Sequence, residues 1–215
     1  MISHIFWDWN GTLADDAMAL HHAVNAGMTA IGHAPVSDAQ LREVFARPLS
    51  TLYERLTGAD CPERWPVWHE AFLAAGHDKE FAPALAEDAL EAVQRWHAQG
   101  RGQSVVSRWS ADDLKRHVNA TDLRYYMDGV RGATTLDEPK EHMLSQEAAV
   151  RGILPENALL IGDTVDDVEA ARALGIAVIV CDSHSFTAWS EQAIERWQVP
   201  RVETLCSAID LALGL

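Results

Sequence analysis

Acidic, hydroxyl and basic side chains follow short apolar runs of this 215-residue chain, and their types suit phosphate and metal chemistry. Asp8 comes directly after a first apolar run, Ser107 follows a second, and Asp163 with Asp167 follows a third. Carboxylates can hold Mg²⁺, which prefers oxygen ligands, and a carboxylate can also act as a nucleophile. The hydroxyl of Ser107 and the ammonium group of Lys140 can bind phosphoryl oxygens. We therefore predict a site for a phosphate ester and a metal.

Alternating strand and helix patterns after residue 83 predict the elements that position these side chains. Predicted strands cover 4–7, 103–106, 130–134, 158–161 and 176–180, and predicted helices cover 84–99, 110–119, 140–151, 166–174 and 204–213. Such alternation with short apolar strands is typical of a doubly wound α/β fold, a parallel sheet with helices on both faces. Ligands of these sheets bind at the carboxyl ends of the strands. We therefore expect the polar residues to meet at that edge.

The segment between the first strand and residue 83 has only helical patterns. Apolar residues recur at spacings of three and four from Leu20 to Ile31, and Ser37 is a candidate N-cap of a second helix. Four short helices are predicted in all. We expect an α/β core of residues 1–14 and 83–215, interrupted by a helical cap domain of residues 15–82.

The composition is strongly acidic, with 32 Asp and Glu against 17 Lys and Arg and a formal net charge of −15. No Lys/Arg cluster interrupts this acidity, which argues against nucleic-acid binding and against an anionic membrane surface as partner. A small anionic substrate remains compatible, because a local pocket or a bound metal can reverse the sign of the field.

Cysteine usage and hydropathy indicate a cytoplasmic protein. Cys61, Cys181 and Cys206 lie far apart in no metal-like spacing, as is usual in a reducing compartment. The chain reaches Asp8 before the apolar region of a signal peptide could form. The longest apolar run, residues 176–181, is far shorter than the roughly 20 residues that span a bilayer.

Four segments resemble, in order, the motifs of the haloacid dehalogenase superfamily. Phe6–Leu13 is similar to the first motif, an apolar strand followed by D-x-D-G-T-L, and Val105–Ser107 is similar to the second, a hydroxyl residue at a strand end. Lys140 resembles the third motif, and Gly162–Asp167 resembles the fourth, G-D-x-x-x-D. Residues 140–175 also resemble phosphoglycolate-phosphatase-like members, which carry a helical cap after the first strand.

This resemblance implies a Mg²⁺-dependent phosphatase with Asp8 as the nucleophile and Ser107 and Lys140 as phosphate-binding residues. The implied metal-binding residues are Asp8, Asn10, Asp163 and Asp167. Two arginines are further candidates for binding the substrate phosphate: Arg47, in a break between cap helices, and Arg108, which directly follows Ser107. The alternative for Arg47 is an ordinary solvated side chain.

Asn10 is the one departure from the family pattern. Phosphatases of the family have a second Asp two residues after the nucleophile, which acts as general acid and base. An asparagine can offer its backbone carbonyl to Mg²⁺ and a side-chain hydrogen bond to the substrate, but it cannot exchange a proton. General acid–base assistance typically accelerates a reaction about 10²–10⁴-fold.

Three functions therefore stay open. The favoured one is a Mg²⁺-dependent phosphatase for a small phosphorylated metabolite. The second is a catalytically weak phosphoester-binding or regulatory protein, which Asn10 motivates. The third is a metal-independent dehalogenase of the same fold, against which Asp163 and Asp167 argue because such an enzyme has no need of a metal site. Neither the substrate nor the oligomeric state follows from the sequence.

Overall fold

The computed structural model describes residues 1–46, 48–58, 61–135, 138–186 and 191–215. The chain divides into two compact units. The larger unit comprises the described residues of Met1–Asp15, Leu85–Ser185 and Trp189–Leu215, and the smaller unit comprises those of Asp16–Ala84 together with Phe186. That residues 15–82 act as a cap domain stays a prediction.

A six-stranded parallel sheet forms the centre of the larger unit. The described strands are β1 (His4–Trp7), β2 (Ala14–Asp15), β3 (Ala84–Leu85), β4 (Gly102–Ser110), β5 (Gly129–Ala133), β6 (Ala158–Gly162), β7 (Ala177–Cys181) and β8 (Arg201–Val202). Strands β2 and β3 pair with each other in a separate two-stranded sheet, and the other six form the central sheet. The sheet has the order β5-β4-β1-β6-β7-β8, and every neighbouring pair is parallel. The strand order reverses around β1, which confirms the predicted doubly wound α/β fold class.

Helices cover both faces of the sheet. Numbered after four helices of the smaller unit, they are α5 (Ala89–His97), α6 (Ala111–Asn119), α7 (Lys140–Arg151), α8 (Val165–Leu174), α9 (Glu191–Trp197) and α10 (Leu205–Leu213). Ile5 and Trp7 of β1 pack with α5, α6 and α10, whereas Phe6 packs with α7 and α8. Because both faces of β1 are buried, the strand is a continuous apolar run rather than an alternating one.

Helices are the main regular elements of the smaller unit within the described residues. This unit contains α1 (Ala17–Ala30), α2 (Asp38–Val44), α3 (Leu49–Thr57) and α4 (Trp65–Ala75). Ser37 caps α2 in a capping box with Gln40, and Gly58 ends α3 in the left-handed conformation. Trp68 of α4 is fully buried against Gly27 of α1, where an added Cβ would lie 2.8 Å from the Trp68 ring nitrogen. This close approach explains why α1 carries a glycine in its interior.

Several boundaries differ from the sequence predictions. The predicted helix 84–99 begins only at Ala89, because Ala84–Leu85 is a short strand. Strand β4 extends to Ser110. The prediction ended the strand at 106 because Ser107 and Arg108 interrupt the apolar run. Helix α9 and strand β8 were not predicted, and both are too short to produce a periodic pattern. No helix within the described ranges is long and apolar enough to cross a membrane.

Candidate active site

Asp8 begins a tight turn at the carboxyl end of β1. Its backbone amide donates a hydrogen bond to the carbonyl of Ile161 at 2.9 Å, which fixes the turn against β6. Gly11 adopts a φ of +75°, a conformation that side chains with a Cβ rarely accept. A Cβ at Gly11 would also lie 2.4 Å from an oxygen of Asp163. Glycine therefore lets the turn pack directly on the second acidic residue.

Lys140 is the first residue of α7, and its ammonium group joins two carboxylates. Its Nζ lies 2.7 Å from Oδ1 of Asp8 and donates a hydrogen bond to Oδ1 of Asp167. The Lys140 side chain is only 3% exposed. Burial by itself would lower the pKa of Lys140, but the charges of Asp167 and Asp8 outweigh burial and raise it. Lys140 is therefore held as a cation.

The first turn of α8 fixes Asp167. Its Oδ2 accepts hydrogen bonds from the Thr164 amide at 2.9 Å, the Thr164 hydroxyl at 2.7 Å and the Asp163 amide at 3.2 Å. Burial raises the pKa of Asp167, but the charge of Lys140 and these hydrogen bonds bring it below its ordinary value. Gly162 is required at the end of β6, since a Cβ there would lie 2.4 Å from Cγ of Asp167.

The carboxylates of Asp8, Asp163 and Asp167 form a buried cluster. One oxygen of each lies within 4.8 Å of the others, an arrangement that could hold a metal ion. Burial, opposed by Lys140, raises the pKa of Asp8 to about 6. Burial and the neighbouring carboxylates raise the pKa of Asp163 well above its ordinary value. The cluster holds three carboxylates and one ammonium group, which contacts two of them, so an added divalent cation with oxygen preference fits the site.

Ser107 and Asn10 contact each other at the same edge of the sheet. The Ser107 hydroxyl donates a hydrogen bond to the side-chain oxygen of Asn10 at 3.3 Å and accepts one from the Trp109 amide at 3.3 Å. Ser107 is buried, whereas Asn10 is half-buried. The Asn10 amide can donate and accept hydrogen bonds but cannot take up the proton that a carboxylate would take.

The two candidate arginines differ in outcome. Arg47 lies outside the described residues. Arg108 donates through Nε and Nη2 to the two carboxylate oxygens of Asp166, each at 2.8 Å. The structure thus gives Arg108 a protein partner, and binding of the substrate phosphate by Arg108 stays a prediction.

Two hydroxyl residues at the cluster were not assigned a role from the sequence. The Thr12 hydroxyl donates a hydrogen bond to Oδ1 of Asp163 at 3.4 Å, and the Ser185 side chain also hydrogen-bonds to Asp163. Thr12 lies in the first motif, so its position beside Gly11 was an available signal. Ser185 lies in an irregular segment after β7, and nothing in the local sequence marks it.

Proteins of known family are similar to this chain over most of its length. A family model described as haloacid dehalogenase-like hydrolase matches residues 5–181. A phosphoglycolate phosphatase from Xylella fastidiosa is 28% identical over 186 residues, which are 82% of this chain and 78% of the relative. One from Thiobacillus denitrificans is 26% identical over 186 residues, which are 82% of each chain. The matches confirm the resemblance that the four motifs indicated.

A solved structure shares the fold. The crystal structure of a predicted phosphatase from Clostridium acetobutylicum aligns with a TM-score of 0.84 at 18% identity and covers 100% of both chains. At this level of identity the similarity concerns the fold alone.

Proposed function

Because this chain belongs to the haloacid dehalogenase-like hydrolases, we propose that it is a phosphatase that hydrolyses a small phosphorylated metabolite at Asp8. The observation that carries the proposal is the buried contact of Asp8 with Lys140, beside Asp163 and Asp167. A buried ammonium group that holds one carboxylate oxygen favours the ionised, nucleophilic form of that carboxylate. The phosphoglycolate phosphatases among the relatives support a small phosphomonoester as the substrate class.

The proposed reaction has two steps at Asp8. In the first, a carboxylate oxygen of Asp8 forms a bond to phosphorus while the bond from phosphorus to the ester oxygen breaks. The leaving alkoxide takes its proton from water, because Asn10 has none to give. In the second step, water attacks the aspartyl-phosphate, releases inorganic phosphate and regenerates Asp8. The Ser107 hydroxyl and the Lys140 ammonium group bind the phosphoryl oxygens, which gain negative charge during transfer.

We propose Asp8, Asp163 and the backbone carbonyl of Asn10 as ligands of Mg²⁺. Both oxygens of Asp167 already accept hydrogen bonds from Lys140, Thr164 and the Asp163 amide, so Asp167 contributes its charge beside the metal. When bound, Mg²⁺ supplies positive charge that stabilises the phosphoryl oxygens. The Thr12 and Ser185 hydrogen bonds hold the Asp163 carboxylate in one orientation for that purpose. A cap role for residues 15–82 and a cytoplasmic location stay predictions.

A second candidate function rests on Asn10. A chain that binds a phosphate ester but lacks the proton-transferring residue would be a weak catalyst or a phosphoester-binding protein. The half-buried amide of Asn10 with its Ser107 contact is the observation that favours it. The dehalogenase alternative is disfavoured, since the acidic cluster beyond Asp8 would have no use in a metal-independent reaction.

The test is phosphate release from a panel of small phosphoesters, with 2-phosphoglycolate, an acyl phosphate and an aryl phosphate included, with and without Mg²⁺. Mass spectrometry must verify residue 10, because Asn10 precedes Gly11 and deamidation of this pair would create an aspartate. We expect Mg²⁺-dependent hydrolysis that Asp8→Asn abolishes. Full activity of Asp8→Asn would contradict the mechanism. Binding of Mg²⁺ and phosphate analogues without turnover would favour the binding protein.

A further inference from the structure

The ion pair between Arg108 and Asp166 has no part in the reaction proposed above. Its two hydrogen bonds of 2.8 Å give it a fixed, two-point geometry. We propose that this pair is a positioning device, which holds the end of β4 against the start of α8 and so fixes Ser107 relative to Asp167. The effect on catalysis that we expect from it rests on the proposed function.

The sheet order defines what the pair connects. Strand β1 lies between β4 and β6, Arg108 belongs to the end of β4, and Asp166 belongs to the first turn of α8 after β6. Neighbouring strands lie about 4.8 Å apart, so the pair spans two strand spacings, about 10 Å. It therefore bridges the two strands on either side of β1, at the edge where Asp8 begins its turn.

Each partner is the direct neighbour of a site residue. Arg108 follows Ser107, and Asp166 precedes Asp167. The pair also lines a cavity of about 340 Å³ together with Pro139 and Glu141, which flank Lys140. The neighbours of three site residues thus meet around one cavity, immediately outside the buried cluster.

The end of β4 needs such a connection because its pairing is irregular. Its regular pairing with β1 ends at Val105, and its register with β5 shifts between Val106 and Ser110. Ser107 and Arg108 therefore lie in an irregular stretch, as residues beside active sites often do. The start of α8 is the firmer partner, since Asp167 fixes it by three hydrogen bonds.

The exposure of the pair separates positioning from stability. The side chains of Arg108 and Asp166 are 23% and 30% exposed, so solvent partly screens the pair and its loss should lower global stability only modestly. A displacement of about 1 Å at a reacting group, by contrast, lowers a rate about 10²-fold. A positioning role therefore predicts a loss of turnover that is out of proportion to a modest fall in the melting temperature.

The experiment compares Arg108→Gln, Asp166→Asn and the double variant with the wild type, by steady-state kinetics, by thermal unfolding and by hydrogen exchange of the segment 102–110. Arg116→Gln is the matched control, because Arg116 forms a 2.8 Å pair with Asp113 within α6. We expect each single variant to lower kcat about 10- to 100-fold with little change in KM. The double variant should equal either single variant, because both remove the same interaction. Exchange should increase at 107–110, and the control should match the wild type.

Three results would overturn the inference. A large rise in KM for Arg108→Gln that Asp166→Asn does not share would make Arg108 a substrate-binding residue instead. Wild-type kcat in all three variants would leave the pair with no role in turnover. If the wild type hydrolyses no phosphoester, the proposed function fails on its own, and hydrogen exchange then decides: unchanged exchange at 107–110 contradicts the inference, and increased exchange supports it.

Discussion

Replacing Lys140 with Met removes the ammonium group that Asp8 and Asp167 share and leaves a side chain of similar length. The structure sets the magnitude of the effect. Lys140 is 3% exposed and Asp167 is fully buried, so the carboxylates would remain in the interior without their cation. Removing one partner of a buried ion pair costs about 3–5 kcal/mol, because the remaining charge is uncompensated. For a chain of this size, that loss corresponds to a melting temperature about 6–20 °C lower.

The pH dependence of this loss has a definite sign. In the wild type the pKa of Asp167 lies below its ordinary value, so Asp167 stabilises the fold above about pH 4, and that contribution is lost as the pH falls through its folded pKa. The pKa values of Asp8 and Asp163 are raised already in the wild type, and loss of the Lys140 charge should raise the pKa values of all three carboxylates further, so acid should favour folding of the variant more than folding of the wild type. The difference in stability between the wild type and Lys140→Met should therefore be smaller at pH 5 than at pH 7.5. Added Mg²⁺ should also reduce this difference, because a cation bound to the folded variant would compensate the carboxylates.

The assay is thermal unfolding followed by tryptophan fluorescence at both pH values, with and without Mg²⁺. Lys115→Met is the matched control, because Lys115 lies exposed on α6 and its loss should change stability little. A loss below about 1 kcal/mol for Lys140→Met at pH 7.5 without Mg²⁺ would refute the reasoning, since it would mean that the carboxylates are neutral or solvated in the wild type.

The remaining predictions concern catalysis, metal binding, packing and pH. Asn10→Asp should raise the steady-state turnover of an alkyl phosphate about 10²–10⁴-fold and that of an aryl phosphate less, because aryl leaving groups need little protonation; equal gains would show that another group supplies the proton. Asp163→Ala should abolish Mg²⁺ binding in calorimetry, and unchanged affinity would place the metal elsewhere. Gly162→Ala should destabilise the fold by about 1–3 kcal/mol in thermal unfolding, because its Cβ would collide with Asp167; wild-type stability would contradict the packing. Burial lowers the pKa of His4, so His4 by itself disfavours the folded state as the pH falls from 7.5 to 5.5, whereas the raised pKa values of Asp8 and Asp163 act in the opposite direction; His4→Gln should therefore be more stable at pH 5.5 relative to pH 7.5 than the wild type is, and an unchanged pH profile would contradict this.

Local sequence signals were sufficient to predict the boundaries of an element where residues of restricted conformation mark its ends. Helix α7 occupies 140–151 as predicted, because Pro139 precedes it as the N-cap and Gly152 ends it in the left-handed conformation. Strand β6 is a continuous apolar run that ends at Gly162, and its prediction differed by one residue. Since both elements could be located, their terminal polar residues could be assigned to one edge of the sheet.

Contacts between distant segments could not be predicted in the same way. Arg108 contacts Asp166 because β4 and β6 lie on either side of the single strand β1. This strand order could not be derived from the sequence pattern. Ser185 reaches Asp163 from an irregular segment that has no periodicity. The extension of β4 to Ser110 depends on pairing with β5 rather than on apolar residues. Long-range geometry, and not local propensity, determines these features.

The central position of β1 has a consequence for how the protein is synthesised. Strand β1 leaves the ribosome before its partners β4 and β6, which begin at Gly102 and Ala158. Contacts of such high sequence separation form late, since a long loop must close first. The acidic turn at Asp8 therefore lacks Lys140 and Asp163 until the chain as far as residue 163 has been translated. The intervening helices α1 to α4 are contiguous in sequence and need no such partner, so we expect them to acquire structure first and to leave β1 as the segment most in need of chaperone protection.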